Sequence, residues 1–142
     1  MSRFYVIKQF SFEMAHALTD YPGKCRNIHG HSYRLEVAVT GNRSESSGMV
    51  IDFKLLKDIV NRTVVEPLDH CLVLSEHTDE ELKRLLKKEF EKVKIVPFQP
   101  STENLLEYMA TLLAPEFPDN VKLSSLRLQE TEQSWVELKF EN

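Results

Sequence analysis

Two stretches of alternating apolar and polar residues, each with histidine at one end, constrain this chain more than any other feature. From Phe4 to His16, the residues Phe4, Val6, Phe10, Phe12, Met14 and His16 fall on one face of a strand, interrupted by Lys8. Gln9, Ser11 and Glu13 fall on the other. From His29 to Val39 the pattern resumes, with His29, His31, Tyr33, Leu35, Val37 and Val39 on one face and Ser32, Arg34, Glu36 and Thr40 opposite. A period of two marks a half-buried strand. Residues 17–28 read as a loop, with Asp20, Pro22 and Gly23 as breakers. Consecutive strands usually pair. An antiparallel pairing sets His16 beside His29 and His31, so three imidazoles converge on one spot.

The rest of the chain supplies helices and a second strand pair. Asp52 suits an N-cap for a helix to about Val65, with Phe53, Leu56, Val60 and Val64 at helical spacing and Pro67 as its end. Leu68 to Leu72 reads as a connection. Thr78 to Glu81 has the capping-box pattern. It opens an amphipathic helix with Leu82, Leu85, Leu86 and Phe90 on one stripe and charges facing solvent. Val93 to Phe98 reads as a short extended piece. Pro100 to Asn104 starts a further helix, with Leu105, Leu106, Tyr108, Met109, Leu112 and Leu113 on its apolar side. Strands at Leu126–Glu132 and Ser134–Glu141 follow, turning at Glu132-Gln133-Ser134. The pattern predicts one α+β domain over residues 1–142. Its expected form is a four-stranded antiparallel sheet with helices on one face, plus an extra helix.

Composition narrows the partners. The 142 residues suit one domain, and the net charge of −4 weighs against general nucleic-acid binding, which needs a basic surface. Two cysteines, Cys25 and Cys71, are too few for a disulfide scaffold and point to a reducing compartment. The first residues, Met1 to Val6, carry no long apolar core before Lys8, and no run is long enough to cross a bilayer. The expected location is the cytoplasm.

Three imidazole nitrogens with a fourth position open are a catalytic zinc set. His16, His29 and His31 are therefore the candidate ligands. No carboxylate-rich cluster lies near them to suggest magnesium or calcium. Cys25 stays open between a fourth ligand, a buried thiol and a nucleophile or base. Lys24 and Arg26 beside it favour the thiolate. Read locally, Asp69-His70 is a surface-loop pair and Cys71 a small core residue. Glu130 continues the Leu126–Leu128 face, so it is either a strand-end carboxylate or a buried acceptor for an amidine-like N–H pair. Ser101, Thr102 and Glu103 are explained as helix-cap residues.

Together these residues resemble the 6-pyruvoyl-tetrahydropterin synthase and 6-carboxytetrahydropterin synthase family. The matching pieces are Phe12-Glu13-Met14-Ala15-His16, Cys25 three residues before His29-Gly30-His31, Ile51-Asp52-Phe53, Leu68-Asp69-His70, Ser101 to Leu105, and Glu130-Thr131. The resemblance implies the tunnelling fold (ββααββ) and a homohexamer of two trimers with active sites at subunit interfaces. It implies zinc on His16, His29 and His31, Cys25 as catalytic thiol, and Asp69 and His70 as its relay partners from a neighbouring subunit. Glu130 then anchors the pterin ring, with Thr102 and Thr131 nearby. The three-residue spacing before His29 resembles the carboxy type of the queuosine and 7-deazaguanine route. That type converts 7,8-dihydroneopterin triphosphate to 6-carboxy-5,6,7,8-tetrahydropterin. A pyruvoyl-type synthase, a side-chain-cleaving aldolase and a non-catalytic zinc-stabilised pterin-binding module are the rivals. The segment Ser75–Phe98 departs from the pattern, being longer than in compact carboxy-type members.

Overall fold

The computed structural model describes residues 2–140. The last position of the expected final strand, Glu141, lies outside them. Six strands form one sheet: β1 (Tyr5–His16), β2 (His29–Gly41), β3 (Cys71–Ser75), β4 (Val93–Val96), β5 (Val121–Thr131) and β6 (Ser134–Lys139). Their order is β4-β3-β1-β2-β5-β6. The four expected strands are β1, β2, β5 and β6, paired antiparallel in that order.

The expectation of a four-stranded, wholly antiparallel sheet is corrected by β3 and β4. Both extend the sheet past β1 in parallel, Met14 opposite Cys71 and Leu72 opposite Val93. The expected connection Leu68–Leu72 runs instead into β3 at Cys71, and Cys71, Val73, Leu74 and Ser75 are buried in the sheet. A strand covered on both faces loses its alternation and reads as a plain apolar run. Parallel neighbours need a crossover, and α3 (Glu80–Glu89) provides it between β3 and β4.

The helix after Asp52 begins as expected, with Asp52 Oδ1 accepting from Lys54 N at 2.8 Å. It does not end before Pro67. α1 (Phe53–Val60) runs through a π turn (Asn61–Val65) into the short α2 (Glu66–Leu68). The π turn has already broken the regular ladder, so Pro67, which has no N–H to donate, fits in the turn that follows. α4 (Thr102–Leu113) is capped by Ser101, whose Oγ accepts from Asn104 N at 3.1 Å.

One core joins these elements. Phe10, Phe12 and Met14 from β1 and Tyr33, Leu35, Val37 and Val39 from β2 meet Leu56 and Val60 of α1 and Leu105, Met109 and Leu113 of α4. Phe4 is an exception to its alternating face: it is exposed, with the Arg43 guanidinium 4.9 Å from its ring centroid. α3 is turned differently from the expectation. Leu82, Leu85 and Phe90 face solvent while Leu86 is half-buried, and the side chain of Lys83 is tucked in, 12% exposed, with Nζ 2.6 Å from Glu76 O. Asp79 caps that helix by accepting from Leu82 N at 3.0 Å. Among the described residues no helix is long and apolar enough to cross a membrane.

Candidate metal centre and active site

Strand register brings the histidines together. His16 stands opposite His29 and Met14 opposite His31 in the β1–β2 ladder. Side chains two apart on a strand share a face, so His29 and His31 flank His16 from one side of the sheet. The ring centroids are 4.7 Å apart for His16–His29, 5.3 Å for His16–His31 and 4.9 Å for His29–His31. One ligand atom from each lies within 4.8 Å of the others.

Backbone carbonyls orient two of the rings. His16 Nδ1 donates to Pro100 O at 2.7 Å, and His29 Nδ1 donates to Asn27 O at 2.7 Å. In the neutral ring the donor nitrogen carries the proton, and the other keeps a lone pair. His16 is 1% exposed, yet its Nε2 has no hydrogen-bond partner. His31 Nε2 has none either. A buried nitrogen without a partner costs roughly 1–3 kcal/mol, and a metal ion is the natural partner for several such lone pairs aimed at one point. Burial also pushes the pKa of His16 and of His31 down, which keeps both rings neutral and available as ligands.

Glu130 closes one side. Its Oε2 accepts from Thr102 Oγ1, and its Oε1 lies 3.5 Å from His31 Nε2. The structure thus brings Glu130, Thr102 and the histidines into one cluster, with the start of α4 supplying both Thr102 and the Pro100 carbonyl. Thr131 sits at the β5–β6 turn, where its hydroxyl accepts from Gln133 N at 3.3 Å. The alternation reading missed the role of Tyr33. Its ring is 5.4 Å from His31 and its buried hydroxyl has no partner. Burial, and next Glu130, raise its pKa, so it stays a neutral donor. The signal was available, since Tyr33 follows His31 by two on the same face. The Pro100 carbonyl left no side-chain signal to find.

Cys25 lies in a 3-10 turn (Lys24–Arg26) of the β1–β2 loop, as a half-buried free thiol. Its carbonyl accepts from Leu18 N at 2.9 Å, which pins the turn to the end of β1. Lys24 and Arg26 beside it are exposed.

Asp69 and His70 precede β3 and their side chains pair with each other. Asp69 Oδ1 accepts from Glu13 N at 2.9 Å and lies 3.1 Å from His70 Nδ1. The Glu13 N–H, more than the nearby imidazole, holds the Asp69 carboxyl below its usual range. His70 N donates to Glu13 O at 2.5 Å, and its φ is +63°. That left-handed conformation costs a non-glycine residue on the order of 1 kcal/mol. The ring itself is 74% exposed and opens onto a cavity of about 770 Å³ lined by Glu13, Ser32, Phe90 and Lys92. Among the described residues no hydrogen bond or ion pair joins this pair to Cys25 or to the three histidines. Glu13 points to the sheet face opposite His16.

A curled sheet with helices, carrying three convergent imidazoles beside a half-buried carboxylate, defines an α+β domain with a histidine cluster that could hold a metal ion. The chain belongs to the 6-pyruvoyl tetrahydropterin synthase family, whose model matches residues 5–141. It is 37% identical over 139 residues to a protein of Haemophilus influenzae named 6-carboxy-5,6,7,8-tetrahydropterin synthase, covering 94% of this chain and 97% of that one. A Rickettsia conorii protein of the same name is 30% identical over 133 residues, covering 92% and 96%. The fold matches that of 6-pyruvoyl tetrahydropterin synthase from Caenorhabditis elegans, with TM-score 0.73 at 24% identity over 99% of this chain and 98% of that one.

Proposed function

We propose that this chain is a zinc-dependent lyase converting 7,8-dihydroneopterin triphosphate and water to 6-carboxy-5,6,7,8-tetrahydropterin, acetaldehyde and triphosphate. The observation that carries this reading is the buried, unpartnered His16 Nε2 within the three-imidazole cluster. It occurs in a chain 37% identical to a protein named for the carboxy-type synthase. The donor set is all nitrogen, which suits zinc and not the oxygen-seeking cations. His16, His29 and His31 would hold the ion, and when bound it supplies Lewis-acid polarisation of substrate hydroxyls.

The protein's own groups do the rest. Glu130 accepts N–H groups of the pterin ring with its carboxylate held by Thr102, and Thr131 lies at the following turn. Cys25 as thiolate and His70, oriented by ionised Asp69, move protons as general base and acid. Lys24 and Arg26 meet the triphosphate. The product enters the queuosine and 7-deazaguanine route, and the reaction takes place in the cytoplasm. Product analysis tests the chemistry. Incubation of the purified, zinc-loaded chain with 7,8-dihydroneopterin triphosphate is expected to release one acetaldehyde per triphosphate. Formation of 6-pyruvoyl-tetrahydropterin without acetaldehyde would assign the pyruvoyl type instead, the type for which the matching family model is described.

The lack, among the described residues, of any hydrogen bond or ion pair between Asp69-His70 and the histidine cluster supports an active site shared between copies. Each site then takes zinc and Cys25 from one subunit and Asp69-His70 from its neighbour, in a homohexamer of two trimers. Cys25→Ala and His70→Ala, each inactive alone, are expected to recover about a quarter of wild-type activity after unfolding and refolding as a random mixture. No recovery in verified mixed oligomers would place both groups in the same subunit's site.

A further inference from the structure

The cavity at His70 has one wall that the active-site reading leaves unused. It is built by the end of α3 and the entry to β4, residues 89–93. Lys92 is the charged residue there with defined partners. Its Nζ donates to Glu66 O at 2.8 Å and to Asp69 O at 2.6 Å. The first carbonyl belongs to the last turn of the α1–α2 helical run, and the second to the residue just past it. An ammonium at a helix C-terminus satisfies carbonyls that have no helical partner.

The consequence concerns His70. Its ring is mostly exposed, so packing does not fix it. Three things do: the Asp69 carboxylate, the left-handed backbone at φ +63°, and the paired bonds to Glu13 N and Glu13 O. All three depend on the path of the chain from Glu66 to His70. Lys92 spans that path at both ends with one cation. Lys92 is itself anchored, because its carbonyl accepts from Leu72 N at 2.9 Å and Val93 pairs with Leu72 in the parallel ladder. We propose that Lys92 is a positioning residue that clamps the Glu66–Asp69 turn and so aims the His70 imidazole. This rests on the reading of His70 as a proton-transfer group.

Misaiming a proton-transfer group by about an ångström costs on the order of a hundredfold in rate, within the range general acid–base catalysis supplies. The test compares Lys92→Met, Lys92→Arg and His70→Ala in the zinc-loaded chain. Steady-state kinetics with 7,8-dihydroneopterin triphosphate are read beside the His70 ring resonances in a 1H–13C spectrum. Lys92→Met is expected to lower kcat about tenfold to a hundredfold, leave KM within about twofold and keep stoichiometric zinc. The His70 ring signal should shift or broaden, and Lys92→Arg should restore most of kcat and the native signal. A His70 signal unchanged in Lys92→Met overturns the clamp. So does a raised KM with unchanged kcat, which would make Lys92 a substrate-binding group. If His70→Ala keeps full activity, the proton-transfer reading fails. The ring signal in Lys92→Met still decides the clamp.

Discussion

With His16 replaced by alanine, the purified chain is expected to bind zinc at least about a hundredfold more weakly and to lose turnover by about a thousandfold or more. The first figure follows from sharing the free energy of a zinc site among its ligands, about 3 kcal/mol each. The second follows from removing a Lewis acid that contributes several kcal/mol to the barrier. His16 is the informative ligand because it is the most buried of the three and its Nδ1 is already committed to Pro100 O. Only Nε2 is left to bind metal. Metal analysis after dialysis checks the outcome, with circular dichroism to confirm the fold. Stoichiometric zinc in His16→Ala would show that His29 and His31 alone hold the ion, or that it sits elsewhere. An equal melting temperature for wild type and variant, both without metal, would show that the orphaned nitrogen offsets the packing His16 contributes.

Much of this centre was legible in the sequence because β1 and β2 are covered on one face only. Half-burial writes a period of two, and two alternating runs ending and beginning in histidine fix both the face and the register. His16 opposite His29 and Phe12 opposite Tyr33 follow from that pattern. β3 is buried more evenly, so Cys71-Leu72 carries no alternation and reads as the end of the Leu68–Leu72 connection. Missing β3 also hid what holds Asp69-His70. Read locally the pair is a surface loop, yet its position is set by Glu13 of the neighbouring strand and by Lys92 just before β4. Those contacts run through backbone atoms or a distant lysine, and neither has a local sequence signature.

α3 shows the opposite failure. Its leucines at helical spacing promise a buried stripe, but the structure turns Leu82 and Leu85 outward and draws Lys83 in. Two short strands and the Asp79 cap fix where the crossover begins and ends, and the bond from Lys83 Nζ to Glu76 O turns the Lys83 side inward. Periodicity reveals which residues share a face but not which way that face points. For β1 and β2 the same ambiguity was removed by the histidines, because three candidate ligands cluster only if their strands present them on one side.

Replacing Cys25 by alanine separates a thiol beside the metal from a thiol on it. The expected result is turnover lowered by about a hundredfold to ten-thousandfold with zinc still stoichiometric, the range a positioned proton-transfer group supplies. The geometry motivates both halves. Three imidazole nitrogens already form a ligand cluster within 4.8 Å, so the metal does not need sulfur. The turn at Lys24–Arg26 is tied to Leu18, which holds the half-buried thiol close to the end of β1. Cys25→Ser is the finer probe, since a hydroxyl keeps the shape but is far harder to deprotonate at neutral pH. It should fall nearly as far as alanine if the thiolate moves a proton, and much less if the side chain only fills space. Loss of zinc in Cys25→Ala would make the thiol a ligand, and unchanged turnover with zinc bound would remove it from the chemistry.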